Sequence, residues 1–147
     1  MLDKFISLVE TFSNENNMSI NRQHNDTVIV LYIEKFPLTI FYNNNFITLQ
    51  SGVALVPENG KEEFFKQLLI LNNGLLETSG ASFGFDTESD MVTLQFSCAI
   101  THVTQEEFNA LLFNFIEVLA HFMQKICYND LNKTEEHDTI PVTGIRI

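Results

Sequence analysis

The sequence predicts an α+β domain in which an antiparallel sheet is covered on one face by helices. Three observations predict it. Amphipathic helical stripes stand near both ends and in the middle of the chain, β-branched and aromatic runs with short polar turns lie between them, and no repeating strand–helix alternation of the kind that builds a parallel sheet occurs. The 147 residues fit one domain, and an apolar share of 45% with 14 Phe is ample for a core.

The first element is a helix over residues 2–13. Leu2, Phe5, Ile6, Val9 and Phe12 follow the helical period, and Leu8 widens the stripe. The polar run Ser13–Asn17 ends it. Met18–Asn21 reads as a short strand, and Thr27–Ile33 as a longer one rich in β-branched residues. Glu34–Pro37 turns the chain, Leu38–Tyr42 is the next strand, and Asn43–Asn45 is a tight connection, because Asn tolerates left-handed backbone angles. Phe46–Gln50 returns and continues past Gly52 to Val56, which completes a meander.

A second helix is expected over Lys61–Asn72, with Glu62 and Glu63 in the first turn, where the helix dipole favours negative charge. Asn72-Asn-Gly74 stops it. Ser82–Asp86 and Met91–Ser97 form a hairpin across the polar turn Thr87–Asp90. The last helix has the clearest start: Thr104-Gln-Glu-Glu107 is a capping box, with Val103 and Phe108 placed as a hydrophobic staple. Its stripe runs Phe108, Leu111, Leu112, Phe115, Val118, Leu119, Phe122, Ile126. The domain is expected to span residues 1–128, and 129–147 reads as a polar, mobile tail with an extended stretch at 139–147.

Composition excludes several function classes. Nineteen Asp and Glu against eight Lys and Arg give a formal charge of −11, which repels nucleic-acid phosphates and anionic lipid headgroups. No stretch has the length and apolarity of a membrane span, and charges interrupt the N-terminal apolar run, so neither membrane insertion nor a secretory signal is expected. Cys98 and Cys127 are too few and too scattered for a disulfide framework or a cysteine zinc site. These features together predict a cytosolic protein.

Candidate chemistry is thin. Cys98 and His102 invite a nucleophile–base reading, but Cys98 ends a strand in an apolar run, where a structural thiol is the better account. The four histidines share no ligand spacing, and Asp86, Glu88 and Asp90 lack the glycine and the distant glutamate of a calcium loop. No catalytic residue, cofactor or metal is assigned. Binding surfaces are the stronger candidates, because in Thr27–Ile33 both Val28, Val30, Tyr32 and the alternating Ile29, Leu31, Ile33 are apolar. An antiparallel sheet covered by helices on one side would carry polar residues on the other. Either both faces are buried in one subunit, or one face or edge receives an extended peptide.

From Leu68 to Phe122 the chain resembles the class I type III secretion chaperones, the Tir chaperone-like family. Leu68-Leu-Ile-Leu-Asn-Asn73 looks like the family's Leu-Leu-x-x-Asn helix end, Phe83-Gly-Phe-Asp86 like its Gly-hydrophobic-Asp strand, Met91–Gln95 like the paired strand, and Phe108–Phe122 like its final helix. The N-terminal helix and the Leu38–Gln50 strands fit the same plan. Ser97-Cys98 stands where the family often has Leu-Pro, and Phe122 where it often has Trp. The resemblance implies a bacterial, cytoplasmic, non-enzymatic homodimer. It would bind the N-terminal segment of a secreted effector in extended form and contact the export machinery. It also implies a dimer interface at Phe65, Leu68, Leu69, Leu94 and Phe96, and effector contacts at Phe5, Leu8, Phe12, Val30, Tyr32 and Phe41. Two other classes fit the size and acidity: a small ligand- or protein-binding domain of the immunity type, and, less well, a small hydrolase with a polar cleft.

Overall fold

The computed structural model describes residues 1–34 and 36–135, with side chains up to Ile126. The described elements run α1 (Leu2–Glu15), β1 (Ser19–Gln23), β2 (Val28–Ile33), β3 (Phe36–Asn43), β4 (Phe46–Leu55), α2 (Lys61–Asn72), β5 (Ser82–Asp86), β6 (Met91–Ala99) and α3 (Gln105–Glu135). The strands form one six-stranded sheet in the order β1-β2-β3-β4-β6-β5. The expected α+β class with an antiparallel sheet and three helices is what the chain adopts. The chain divides into two compact units: Met1–Ser51 with Gln95–Phe115, and Gly52–Leu94 with the chain from Ile116 onward.

In the first unit, β1, β2, β3 and β4 pair antiparallel in an unbroken register, with Asn21 opposite Val30, Val30 opposite Thr39 and Thr39 opposite Gln50. One face of this meander carries Ile29, Leu31, Leu38, Ile40, Ile47 and Leu49, all buried. The α1 residues Phe5, Leu8, Val9 and Phe12 are buried as well. Phe5 stacks on Tyr42 with centroids 5.5 Å apart, and Phe12 meets the edge of Phe108. Asn44 and Asn45 hold φ of +47° and +66° between the paired Asn43 and Phe46, the left-handed pair that a two-residue hairpin turn demands. The strand β3 starts two residues earlier than the sequence suggests. Pro37 lacks an N–H to give, yet Phe36 and Pro37 sit in register opposite Ile33 and Tyr32, and the Pro37 carbonyl accepts the Ser51 hydroxyl at 2.9 Å.

The α3 cap is the capping box read from the sequence. The Glu107 N–H donates to the Thr104 hydroxyl at 3.2 Å, and the Thr104 N–H donates to the Glu107 carboxylate at 2.8 Å. Hydrogen bonding to the carboxylate from Thr104, first by its backbone N–H and then by its side chain, holds the Glu107 carboxyl below its usual range. Three further bonds tie α1 to this region. Lys4 donates to the Thr101 carbonyl, Gln105 to the Leu8 carbonyl, and Asn109 to the Glu15 carboxylate, each at 3.1 Å.

In the second unit, Phe64, Leu68 and Leu71 of α2 are buried, as are Phe83 of β5, Val92 and Leu94 of β6, and Leu119, Phe122 and Ile126 of α3. Phe83 meets Phe122 edge to face at 5.0 Å. Gly52 lets β4 pass Met91 closely, since a Cβ there would lie 2.6 Å from the Met91 methyl. The helix α3 continues to Glu135, past the boundary expected at Tyr128. Asn129–Glu135 contains neither Gly nor Pro, and extending a helix already nucleated costs far less than starting one. The rest of the expected tail, 136–147, lies outside the described residues.

Candidate binding surfaces

Each unit presents one apolar surface that its own core does not absorb. On the first, the registers put Val28, Val30 and Tyr32 of β2 beside Phe41, Thr39 and Pro37 of β3, on the face opposite the buried row. Val28, Val30 and Phe41 are half-buried, and Tyr32 is 47% exposed. Polar rows flank the stripe: Ser19, Asn21 and Gln23 on β1, and Thr48 and Gln50 on β4. Thr48 and Ser97 share a hydroxyl–hydroxyl bond of 2.7 Å. The strand β1 is one edge of the sheet, so its outward N–H and C=O groups lack a ladder partner. An apolar stripe beside an open edge can receive an extended peptide by adding a strand and seating alternate side chains.

On the second unit, Leu69 is 69% exposed and Ile70 and Phe85 are also open to solvent. Phe65 lies between, with its ring 5.4 Å from that of Phe85. An open groove of about 760 Å³ runs along α2 past Phe65, Leu69 and Ile70, rimmed by Glu62, Lys66 and Asn73. One polar side chain also ties β5 to the end of α2. Asn72 donates to the Phe83 carbonyl at 3.0 Å and accepts the Phe83 N–H at 2.7 Å, so a single amide satisfies both backbone groups. Asp86 closes the β5–β6 turn by accepting the Ser89 hydroxyl at 2.5 Å and the Glu88 N–H at 3.1 Å. Those two bonds lower its pKa.

The site residues inferred from the sequence divide sharply by burial. Val30, Tyr32 and Phe41 share the open face of the meander, and Phe65 and Leu69 share the α2 surface. Phe96 is half-buried. Phe5, Leu8, Phe12, Leu68 and Leu94 lie inside the cores, between 0 and 5% exposed, and present no surface to a partner. The most regular positions of an amphipathic stripe are the ones its own sheet claims first. The reading from the sequence missed Phe85, Ile70 and Pro37. Phe85 alternates with the buried Phe83 along β5, and that period was the available signal.

Burial raises the Cys98 pKa, which disfavours the thiolate that a nucleophile requires. Among the described residues, no three His, Cys, Asp or Glu side chains stand close enough to hold a metal ion. Among the same residues, no helix is long and apolar enough to cross a membrane.

Comparison with solved structures finds this fold repeatedly. A chain of the HopA1–SchA chaperone–effector complex superposes with a TM-score of 0.65 at 15% identity, over 82% of this chain and 94% of that one. A chain of the ExsC–ExsE complex gives 0.65 at 19% identity, over 84% and 94%. YbjN of E. coli, a candidate transcription regulator, gives 0.67 at 14% identity, over 85% and 93%. No curated protein matches in sequence. Residues 7–123, from within α1 to within α3, match the Tir chaperone protein (CesT) family, and the chain belongs to that family.

Proposed function

We propose that this chain is a cytosolic type III secretion chaperone that binds the N-terminal segment of a secreted effector in extended form, keeping it soluble and competent for export. Membership of the Tir chaperone protein family over residues 7–123 is the observation that carries this reading. The open face of the meander supports it with a surface of suitable chemistry. Val28, Val30, Tyr32 and Phe41 supply apolar contacts, the polar rows on β1 and β4 bound them, and the β1 edge supplies backbone donors and acceptors. Binding of this kind needs no nucleotide. Apolar burial contributes roughly 25 cal/mol per Å², offset by the cost of ordering the effector segment.

The same reading makes the working unit a homodimer joined through the α2–β5 surface, where Phe65, Leu69, Ile70 and Phe85 are open. A net charge of −11 keeps such a complex soluble and favours effector segments with basic residues around their apolar anchors. The same charge weighs against direct contact with DNA, so the likeness to YbjN is taken as one of fold. We read the protein as non-enzymatic, with binding as its whole activity.

The test is co-expression of the full chain with N-terminal segments of the proteins that its source organism exports by type III secretion. The expected result is a soluble complex with at least one segment, lost in a Val30→Asp, Tyr32→Ser variant that still folds. Failure of every segment to be retained would overturn the assignment.

A further inference from the structure

The chain holds two Asn-Gly pairs, Asn59-Gly60 and Asn73-Gly74. Asparagine before glycine is where a peptide chain rearranges without an enzyme, because the glycine nitrogen can reach the asparagine side-chain carbonyl with no Cβ in its way. The structure treats the two pairs differently. Gly60 is the N-cap of α2, with φ of +74° and ψ of +26°, and its carbonyl accepts the Phe64 N–H at 3.0 Å. That backbone is committed to the helix start. Asn73 and Gly74 stand just past the other end of α2, and both are exposed. The Asn73 N–H donates to the Ile70 carbonyl at 3.1 Å, and the bonds that brace the following loop begin at Leu75, whose carbonyl accepts the Gly80 N–H at 2.9 Å. Between those anchors, the Asn73 side chain and the Gly74 N–H make no hydrogen bond among the described residues. A Cβ at Gly74 would meet nothing within 4 Å. Asn73 is extended, with ψ of +105°, so ring closure needs a rotation about its Cα–C bond, and the open space around Gly74 leaves that rotation unobstructed.

We propose that Asn73 is a site of self-modification. The Gly74 nitrogen attacks Cγ of Asn73 and forms a C–N bond as its proton leaves, and the side-chain amide nitrogen departs as ammonia. Water then opens the resulting imide ring at either carbonyl, giving an aspartyl or an isoaspartyl residue. The net change is one amide exchanged for one carboxylate, with water consumed, ammonia released and nothing oxidised or reduced. Its place gives the new charge consequences. It falls at the C-cap of α2, whose last turn carries no basic residue, and the negative end of the helix dipole repels it. Asn72, one residue earlier, holds both backbone groups of Phe83. Asn73 also rims the groove along Phe65, Leu69 and Ile70, so the reaction adds one negative charge, to a chain already at −11, beside an apolar surface. The modification loosens the end of α2 and β5 with it. This inference stands independently of the chaperone and homodimer readings above.

Incubation of the full chain in mildly alkaline buffer, followed by peptide mapping with mass spectrometry and labelling by an isoaspartyl methyltransferase, tests the proposal. The peptide spanning Asn73 is expected to convert to the aspartyl and isoaspartyl forms at least about tenfold faster than the peptide spanning Asn59, since closure at Asn59 must first draw Gly60 out of the helix cap. Asn73→Gln, which would need a larger ring, is expected to abolish the reaction at that position and leave the circular dichroism unchanged. An intact Asn73, or equal rates at the two positions, would overturn the site. Hydrogen exchange reads the consequence. Asn73→Asp is expected to speed exchange at the end of α2 and in β5, whereas Asn73→Ala, which removes the amide without adding a charge, leaves both as in the wild type. Exchange in Asn73→Asp that matches the wild type would overturn the loosening and leave the modification standing.

Discussion

The two units of this chain solve the same problem differently. In the first, the meander has one fully apolar face buried with α1 and one mixed face left open, and the apolar residues of the open face form a single stripe between polar rows. In the second, the apolar residues of α2 divide between the core and the surface, and polar side chains do the joining: Asn72 holds β5, Thr78 holds the loop after α2, and Asp86 closes the hairpin. Long pairing with hydrophobic cover makes the first unit insensitive to any one hydrogen bond. The second depends more on single side-chain hydrogen bonds, of which the buried Thr78 bond and the half-buried Asn72 pair cost most to lose.

That contrast can be broken or sharpened by substitution. The largest effect is expected from Phe12→Ala in the first unit. Its ring is fully buried against Phe108 and Phe113, and chemical denaturation should report a loss of about 3–5 kcal/mol. Next is Asn72→Ala in the second unit, which leaves both backbone groups of Phe83 unpaired. It should cost about 1–3 kcal/mol by the same measurement, with hydrogen-exchange protection lost first in β5. An equal effect from the nearby Asn73→Ala would sink this account, since the Asn73 side chain is exposed. Thr104→Ala removes one half of the capping box and should cost about 0.5–2 kcal/mol. The smallest is Gly52→Ala. The atom in the way is the end of a flexible methionine, so a loss below about 1 kcal/mol is expected, and Gly52→Ala with Met91→Ala should recover part of it.

Acid offers one more comparison. The Glu107 and Asp86 carboxyls both titrate below their ordinary values of 4.5 and 3.8, because each accepts hydrogen bonds in the folded chain. Their contributions are fully present above those ordinary values and are lost as pH falls through the lower folded values. Glu107→Gln should therefore flatten the fall in stability below about pH 4.5, read from denaturation midpoints at successive pH. A slope as steep as in the wild type would mean that other carboxylates govern the acid limb.

Much of this was legible from the residues. The period of Phe5, Val9 and Phe12 located α1, the β-branched run located β2, and Thr104 with Glu107 marked the start of α3, because each signal is local. The end of α3 was not legible, since polarity after Tyr128 reads as a tail although it does not oppose helix propagation. The candidate surfaces were half legible. Tyr32 and Leu69 could be named, but so were Phe12 and Leu94, which are as apolar and lie buried.

What the sequence determined by itself was the set of elements, their order, the turn chemistry and the net charge, because propensity, period and capping act over a few residues. What only the tertiary structure decided was which of several equally apolar side chains is spent on the core. It also decided that Asn72 spans the backbone of Phe83 and that Leu76 is left standing in solvent. Those outcomes depend on strand order and register between residues distant in the chain, and hydrophobicity at a single position carries no record of what packs against it.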